Sequence, residues 1–249
     1  VILKEVVDFE IDNWQSGSNS IFLTVLVEQL SEEYQQTIPS RLNLSRRHIE
    51  AQSNIFREEI TKHIDRTLIN NKTTLLWGSG GSGKSTLVNQ WIETSKSNIL
   101  YVDCRNCFTK SELKDKFHQH LSPNSYLESS NDVNRAIRVG NIDIVCFDNV
   151  EQIDDNAEVY INDLSTLDCS ILLSSRSKHL NIHCSRIPMT PLYPLEGIEL
   201  FVHNCALSSP SPSELGTIID LLDQVQYHPL SIVLLSKRTY SLTLSEIHK

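Results

Sequence analysis

Eight consecutive residues, Gly-Ser-Gly-Gly-Ser-Gly-Lys-Ser at 78–85, have the types and spacing needed to bind phosphate. They match G-x-x-x-x-G-K-[ST] at every fixed position, with an apolar segment before them and a helical pattern after them. Gly78, Gly80, Gly81 and Gly83 allow left-handed backbone angles, so that successive N–H groups can converge on phosphate oxygens. The following helix would direct the positive end of its dipole at the same anion. The pattern predicts a site for ATP or ADP.

The remaining residues of this stretch can be given individual roles. We expect Lys84 to bridge the β- and γ-phosphates and the hydroxyl of Ser85 to bind Mg²⁺. Thr86 would add a hydroxyl near the α-phosphate, and Ser82 belongs to the loop that surrounds the phosphates. A flexible glycine-serine turn is the alternative interpretation, which the expected strand and helix on either side disfavour.

A phosphate-binding loop of this kind needs an acidic residue for its metal, normally at the carboxyl end of a neighbouring strand. Asp148 ends the apolar segment Ile142–Asp148 and meets this requirement. We therefore predict that Ser85 and Asp148 bind Mg²⁺. In the alternative interpretation, Asp148 only caps the helix that follows.

Candidates for hydrolysis follow the predicted strands. Many ATPases place a second acid directly after the first, but here that position is Asn149, which cannot accept a proton from water. Glu151 is the nearest carboxylate, and it is either the base that activates water or a solvated side chain. Arg176 follows another apolar strand and is either a sensor of the γ-phosphate or a surface residue. We predict that Lys84, Glu151 and Arg176 carry catalysis and that hydrolysis is slow.

Short apolar segments alternate with helical patterns up to residue 190, which is typical of a parallel β-sheet with helices on both faces. The expected strands are Thr73–Trp77, Asn98–Asp103, Ile142–Asp148, Cys169–Ser175 and a short fifth one, Arg186–Thr190. An amphipathic helix, Ile55–Leu68, is expected before the first strand, and three helices are expected from Leu195 onward. We predict a helical or linker segment at 1–52, a nucleotide-binding α/β domain at 53–192 and a helical subdomain at 193–249.

Composition argues against several other classes of protein. The 249 residues include 22 Lys and Arg and 31 Asp and Glu, and the net charge of −9 argues against a nucleic-acid partner. No apolar run approaches the roughly 18 residues of a membrane span, and no secretory signal is recognisable. The six cysteines are too sparse for a disulfide framework, so we expect reduced thiols in a cytoplasmic protein. Cys104 and Cys107 form one CxxC, for which a redox pair or half a zinc site is the alternative.

Several further segments occur in an order that resembles the NB-ARC branch of the STAND ATPases, the nucleotide switches of apoptotic and immune-receptor proteins. NIFREE precedes the phosphate-binding loop, and IDIVCFDNVEQI, CSILLSSRS, TPLYPLEGIELF and YHPLSIVLL follow it. ILLSSRS resembles the strand-plus-arginine sensor motif of that family, PLYPLEGIELF resembles its L…EA…LF helix, and His228-Pro229-Leu230 resembles its GLPLA motif. The resemblance covers about three quarters of the chain, roughly Ser53 to Tyr240.

The resemblance implies a five-stranded parallel sheet in the order 5-1-4-3-2, followed by a helical subdomain. It implies that adenine lies between the segment before the loop and the helical subdomain. By this resemblance, Ile55 and Phe56 would flank the base, Arg57 would lie near the phosphates, and Pro229 would pack on adenine. Phe56 stands where the family usually has glycine.

The resemblance also implies a switch in a signalling, defence or cell-death protein. ADP would hold the switch closed, ATP would open it, and open copies would self-associate into a ring or filament. An N-terminal effector domain and C-terminal winged-helix and sensor domains would flank this core. We therefore expect the chain to be the nucleotide-binding part of a longer protein.

Other classes of function remain open. A P-loop enzyme such as a small-molecule kinase would need a lid and specificity residues after the second strand, where the sequence offers nothing clear. An interaction module whose nucleotide site no longer hydrolyses is compatible with Asn149, although Lys84, Ser85 and Asp148 argue against it. A motor ATPase would be a nearer relative than these two alternatives. It would need a second sensor arginine on the terminal helices, for which Arg238 is the one candidate in the sequence.

Overall fold

The computed structural model describes residues 55, 57–122, 127, 129–207 and 210–248. The segment predicted at 1–52 lies outside the described residues, as does Phe56. The described part contains five strands: β1 (Thr73–Trp77), β2 (Ile99–Asp103), β3 (Ile144–Asp148), β4 (Ser170–Ser175) and β5 (Ser185–Pro188). Its helices are α1 (Glu58–Asn70), α2 (Lys84–Thr94), α3 (Lys110–Leu121), α4 (Ser130–Val139), α5 (Asp155–Leu164), α6 (Pro194–Asn204), α7 (Pro212–Gln224), α8 (Pro229–Arg238) and α9 (Leu244–Ile247).

The five strands form one parallel sheet in the order β2-β3-β4-β1-β5, which confirms the predicted order. In the pairing register, Trp77 lies opposite Ser175 and Asp103 lies opposite Asp148. Every strand therefore ends toward the same edge of the sheet. In open α/β sheets this carboxyl edge is where ligands bind.

The sheet is covered on both faces because its central strands are apolar and almost fully buried, as expected for parallel sheets. One face packs against a cluster that includes Phe117, Phe147 and Ile161. The other face packs against a smaller cluster that includes Ile64 and Trp91. These two cores hold the strand ends, and hence the residues that follow them, at fixed positions.

Several predicted boundaries in this unit were wrong. β2, β3 and β4 begin at Ile99, Ile144 and Ser170 rather than at Asn98, Ile142 and Cys169. The helix expected over Ile55–Leu68 begins at Glu58, because Arg57 has φ −97° and ψ 72°, outside the helical region. The fifth strand runs over Ser185–Pro188 rather than Arg186–Thr190, since its ladder with β1 ends at Pro188. Apolar patterning locates an element well and its ends poorly.

Of the described residues, 57–190 form one compact unit, and Ile55 together with those from Pro191 onward form a second. In the second unit, α6, α7, α8 and α9 enclose an apolar core that includes Phe201, Ile218 and Leu222. Ile55 packs against this core. The sequence predicted three helices here, whereas the described residues contain four. The fourth, α9, has only four residues, too few to show an apolar periodicity. It begins with a capping box formed by Thr243.

Candidate phosphate-binding site

The loop at 78–85 leaves β1 and enters α2 with the backbone that its glycines allow. Gly81 has φ 76° and Gly83 has φ 88°, both in the left-handed region. Gly83 is the N-cap residue of α2 and has no side chain with which to cap that helix end. The amides of its first turn are therefore open to an anion, and the helix dipole favours one there.

Gly78 is required by a close approach of the chain after β5. A Cβ at this position would lie 2.7 Å from Met189 Cβ and 3.1 Å from Ser82 Oγ. Met189 Cβ is attached directly to the backbone, so a larger residue at position 78 would displace backbone. Ser82 Oγ is buried and has no hydrogen-bond partner among the described residues. An unsatisfied buried hydroxyl inside a phosphate loop is a feature that a ligand can explain.

Lys84 points into the loop rather than into solvent. Its Nζ donates hydrogen bonds to the carbonyl oxygens of Gly78, at 2.7 Å, and Ser79, at 3.0 Å. The residue is only 7% exposed. Burial lowers the pKa of Lys84; nearby Glu151 opposes this shift, and Arg176 adds to it. The loop thus surrounds the ammonium group of Lys84, whose charged form the carboxylates of Glu151 and Asp148 favour.

Asp148 ends β3 and is completely buried. The hydroxyl of Ser174 donates to Oδ1. The hydroxyl of Tyr101 donates to Oδ2 at 2.9 Å, and Asn149 Nδ2 donates to the same oxygen at 3.2 Å. Burial, followed by the charge of Asp148, raises the pKa of Tyr101, so that its hydroxyl keeps the proton. Groups from β2, β3 and β4 therefore fix the orientation of this carboxylate.

Asn149 bridges two acids. Its Nδ2 also donates to Asp103 Oδ1 at 3.1 Å, and its backbone has φ 65°, which asparagine tolerates well. Arg105 binds Asp103 from the other side. Burial acts to raise the pKa of Asp103, but hydrogen bonds from Arg105 and Asn149 together lower it below its ordinary value. A second aspartate at 149 would place a third carboxylate beside these two, so the amide suits its surroundings better.

Glu151 and Arg176 meet next to the loop. Glu151 Oε1 lies 3.2 Å from Arg176 Nε, and the glutamate side chain is 20% exposed against 66% for the arginine. The guanidinium carbon of Arg176 would lie 3.7 Å from a Cβ placed on Gly80. The chain before Glu151 is tied to β4, because Val150 N donates to the carbonyl of Ser174 at 2.9 Å. The structure thus brings these two predicted residues together beside the loop that holds Lys84.

The remaining predicted residues are spread over both units. Arg57 is buried and donates to the carbonyl oxygen and to Oγ1 of Thr190, each at 2.8 Å, directly after Met189. Ser85 is partly exposed and Thr86 exposed in the first turn of α2. Pro229 is the first residue of α8, in the helical unit. Contact of Ile55, Arg57 and Pro229 with a nucleotide stays a prediction.

Sequence reasoning missed the side chains that hold Asp148. Tyr101 and Ser174 lie inside apolar strands and belong to no motif, and their role depends on the pairing of β2, β3 and β4. Asp103 was recognisable only as the last residue of a predicted strand. The contact of Met189 with Gly78 could not be predicted, because it depends on the pairing of β5 with β1.

The CxxC pair forms no disulfide in the part of the chain that the structure describes. All six cysteines are free. Cys104 and Cys107 are buried, and burial raises the pKa of both thiols, which makes them poor nucleophiles. No group of three or more His, Cys, Asp or Glu side chains able to hold a metal occurs among the described residues.

The residues of the carboxyl edge fit a nucleotide with Mg²⁺. The donors offered by Ser85 and Asp148 are a hydroxyl and a carboxylate, hard oxygen ligands of the kind that Mg²⁺ prefers. The loop offers left-handed glycines, an uncapped helix N-terminus, a lysine and an unsatisfied hydroxyl.

Comparisons with known proteins support an α/β fold like that of P-loop NTPases. No protein-family model matches the sequence, and no curated protein matches it. The structure is similar to the Walker-type ATPase of Pyrococcus abyssi, with TM-score 0.59, 16% identity and coverage of 80% of this chain and 73% of that one. It is similar to Cdc6p from Pyrobaculum aerophilum, with TM-score 0.55, 14% identity and coverage of 85% and 65%. It is also similar to Drosophila ORC bound to DNA, with TM-score 0.53, 12% identity and coverage of 89% and 66%.

At these identities the likeness shows the fold alone, and the chain spans just under two thirds of the latter two chains. The prediction that nucleic acid is not a partner finds no support here, because one similar structure is bound to DNA. Net charge sums over the whole sequence and does not report a local surface. No helix within the described ranges is long and apolar enough to cross a membrane.

Proposed function

We propose that this chain is an ATP- and ADP-binding switch with slow, Mg²⁺-dependent ATP hydrolysis. The observation that carries the proposal is the loop at 78–85, whose left-handed glycines, buried lysine and uncapped helix N-terminus face the edge where Asp148 ends β3. The resemblance to NB-ARC proteins supports the finer part, a signalling, defence or cell-death protein that self-associates when ATP is bound.

Binding would use the groups already in place. The backbone amides of the loop and of the first turn of α2 would hold the phosphates, and Lys84 would exchange its carbonyl partners for phosphate oxygens. Bound Mg²⁺ would neutralise charge on the β- and γ-phosphates. The Ser85 hydroxyl and the Asp148 carboxylate are the groups that would hold it. Tyr101 and Ser174 keep that carboxylate oriented.

Hydrolysis is expected to be slow for a local reason. The side chain at 149 is an amide engaged with two acids, so it cannot take a proton from water. Glu151 is the remaining base, but in this arrangement it is paired with Arg176. Glu151 would have to leave this ion pair before it could approach a water molecule at the γ-phosphate. Slow turnover suits a switch, since each nucleotide state lasts long enough to be read.

Arg176 is the group we assign to reading the γ-phosphate. Its guanidinium lies beside the loop at Gly80 and is largely exposed, so it can reorient at little cost. A γ-phosphate would offer it a stronger acceptor than Glu151 alone. Arg176 would then contact the γ-phosphate when ATP is bound and Glu151 when ADP is bound.

Replacement of Arg176 tests the switch. Arg176→Ala is expected to lower the preference for ATP over ADP by about tenfold, because one charge-assisted hydrogen bond is lost only in the ATP complex. Titration of each nucleotide against both proteins measures the ratio, and Arg66→Ala, an exposed arginine of α1, is the matched control. Equal ratios for wild type and Arg176→Ala would contradict the sensor role.

Replacement of Glu151 tests the base. Glu151→Gln is expected to reduce turnover about a hundredfold while the affinity for ATP stays close to that of wild type. Glu93→Gln, on an exposed position of α2, serves as control. Unchanged turnover would exclude Glu151 as the base.

Self-association has its own measurement. Sedimentation velocity with ATP and with ADP is expected to show larger species only with ATP. A single species of equal size in both would contradict this part of the proposal.

A further inference from the structure

The loop that carries Arg176 is held almost entirely by side chains. It connects β4 to β5 over residues 176–184. Among the described residues, no backbone-to-backbone hydrogen bond involves residues 176–184. A loop without a backbone ladder needs other partners for its carbonyl and amide groups.

Arg186, in β5, supplies partners for four of the carbonyl groups. Its Nε donates to the carbonyl of Lys178 at 3.1 Å, and its Nη1 donates to that of Cys184 at 3.2 Å. Its Nη2 donates to the carbonyls of Leu180, at 3.0 Å, and Ile182, at 3.3 Å. One guanidinium thus gathers alternate carbonyl groups along the whole loop. Only arginine presents enough donors in a fixed plane to do so.

The amide side of the loop is tied to α5. Asn181 N donates to Glu158 Oε2 at 3.0 Å, and His183 N donates to Asn162 Oδ1 at 2.9 Å. Asn162 Nδ2 in turn donates to the carbonyl of Asn181 at 3.0 Å. These bonds attach the loop to α5, whereas Arg186 attaches it to β5.

The apolar side chains of the loop complete its attachment. Leu180 is 7% exposed and Ile182 is 3% exposed, and both belong to the core under the sheet. Lys178 Nζ lies 5.6 Å from the ring centroid of Trp77, the last residue of β1 before the phosphate-binding loop. The loop is thereby anchored on the core at one end and touches the start of the candidate site at the other.

We propose that Arg186 is a positioning residue that holds the loop at 176–184 so that Arg176 stands beside the phosphates. The inference rests on the proposed function in its last step only, because the ordering of the loop is independent of nucleotide. Arg186 acts through backbone carbonyl groups, and its planar fork rather than its charge is what the loop needs. A lysine at this position keeps the charge and loses the fork.

Hydrogen exchange of the intact protein tests the ordering of the loop. In Arg186→Lys, the amides of Asn181 and His183 are expected to exchange at least about tenfold faster than in wild type, while amides of the central strands keep their protection. Arg66→Lys, the same change on an exposed position of α1, is expected to leave these rates unchanged. Unchanged exchange in Arg186→Lys would overturn the proposal.

A double-mutant comparison tests the action through Arg176. The ratio of ATP to ADP affinity in Arg186→Lys is expected to shift in the same direction as in Arg176→Ala, and the double variant is expected to match Arg176→Ala alone. Effects that add would overturn the path through Arg176. If Arg176→Ala itself changed nothing, the sensor role in the proposed function would fail, and the exchange rates alone would decide the role of Arg186.

Discussion

The phosphate-binding loop and the acidic edge beside it are built in different ways. The loop at 78–85 takes its shape from backbone, with two glycines in the left-handed region and a third that leaves no room for a Cβ. The acidic edge, which we define as Tyr101, Asp103, Asp148, Asn149 and Ser174, takes its shape from hydrogen bonds between side chains of three strands. The loop has no room for a Cβ at Gly78, whereas the network of side chains can lose one hydrogen bond and keep the others.

Within the acidic edge, we expect the largest loss of hydrolysis on replacement of Asp148. Asp148→Asn is expected to reduce Mg²⁺-dependent hydrolysis by about a hundredfold or more, because the carboxylate that would hold the metal is lost. Binding of nucleotide without Mg²⁺ should persist. Asp143→Asn, an exposed position just before β3, is the control. Equal hydrolysis in Asp148→Asn and wild type would remove Asp148 from the metal site.

The loop should fail at its tightest contact. Gly78→Ala is expected to lower the free energy of unfolding by about 1–3 kcal/mol and to weaken nucleotide binding, since the new Cβ would overlap Met189 Cβ. Gly140→Ala, whose Cβ would meet only contacts of 3.2 Å or more at the end of α4, is the comparison for thermal unfolding. Wild-type stability and affinity in Gly78→Ala would show that the loop adjusts freely.

The margin of the acidic edge should give a graded effect. Tyr101→Phe is expected to cost about 1 kcal/mol of stability and to raise the Mg²⁺ concentration needed for half-maximal hydrolysis, because Asp148 loses one donor. Tyr160→Phe removes a hydroxyl that bonds His118 elsewhere in the same unit. It should cost similar stability and leave the Mg²⁺ requirement unchanged. Equal Mg²⁺ requirements in both variants would contradict a positioning role for Tyr101.

A pH effect remote from both regions should be the smallest. Burial, followed by the charge of Lys114, lowers the pKa of His118 below its ordinary value of 6.5. The unfolded state therefore binds more protons, so this residue reduces stability as the pH falls below that value. Unfolding of His118→Gln should depend less on pH between 7 and about 5 than that of wild type. An equal slope would show that His118 does not contribute.

The difference between the two regions also explains what could be predicted from sequence. The loop at 78–85 is recognisable from consecutive residue types, and the position of Asp148 at the end of a strand follows from apolar patterning. The sheet order came from the resemblance to NB-ARC proteins. Tyr101 and Ser174 could not be found, because a partner across a strand pair is set by register and not by spacing in the chain. The role of Arg186 could not be predicted either, because its partners are backbone carbonyl groups, which every residue type has.

The ends of helices were mispredicted where local hydrogen bonds, rather than apolar spacing, set them. Residues 55–57 continue the apolar pattern of α1, but Arg57 is turned out of the helix and bonds Thr190. The short helix α9 is defined by its cap rather than by apolar spacing. The interpretation of the CxxC as ordinary thiols agrees with its burial.

We propose that the loop at 78–85 binds nucleotide through Lys84. The most direct test of this proposal is equilibrium titration of ATP and ADP against wild type, Lys84→Ala and the control Lys96→Ala, an exposed lysine after α2. We predict that wild type and Lys96→Ala bind alike and that Lys84→Ala binds at least about a hundredfold more weakly with an unchanged fold. Equal affinity of Lys84→Ala and wild type, or no binding by wild type, would contradict the account.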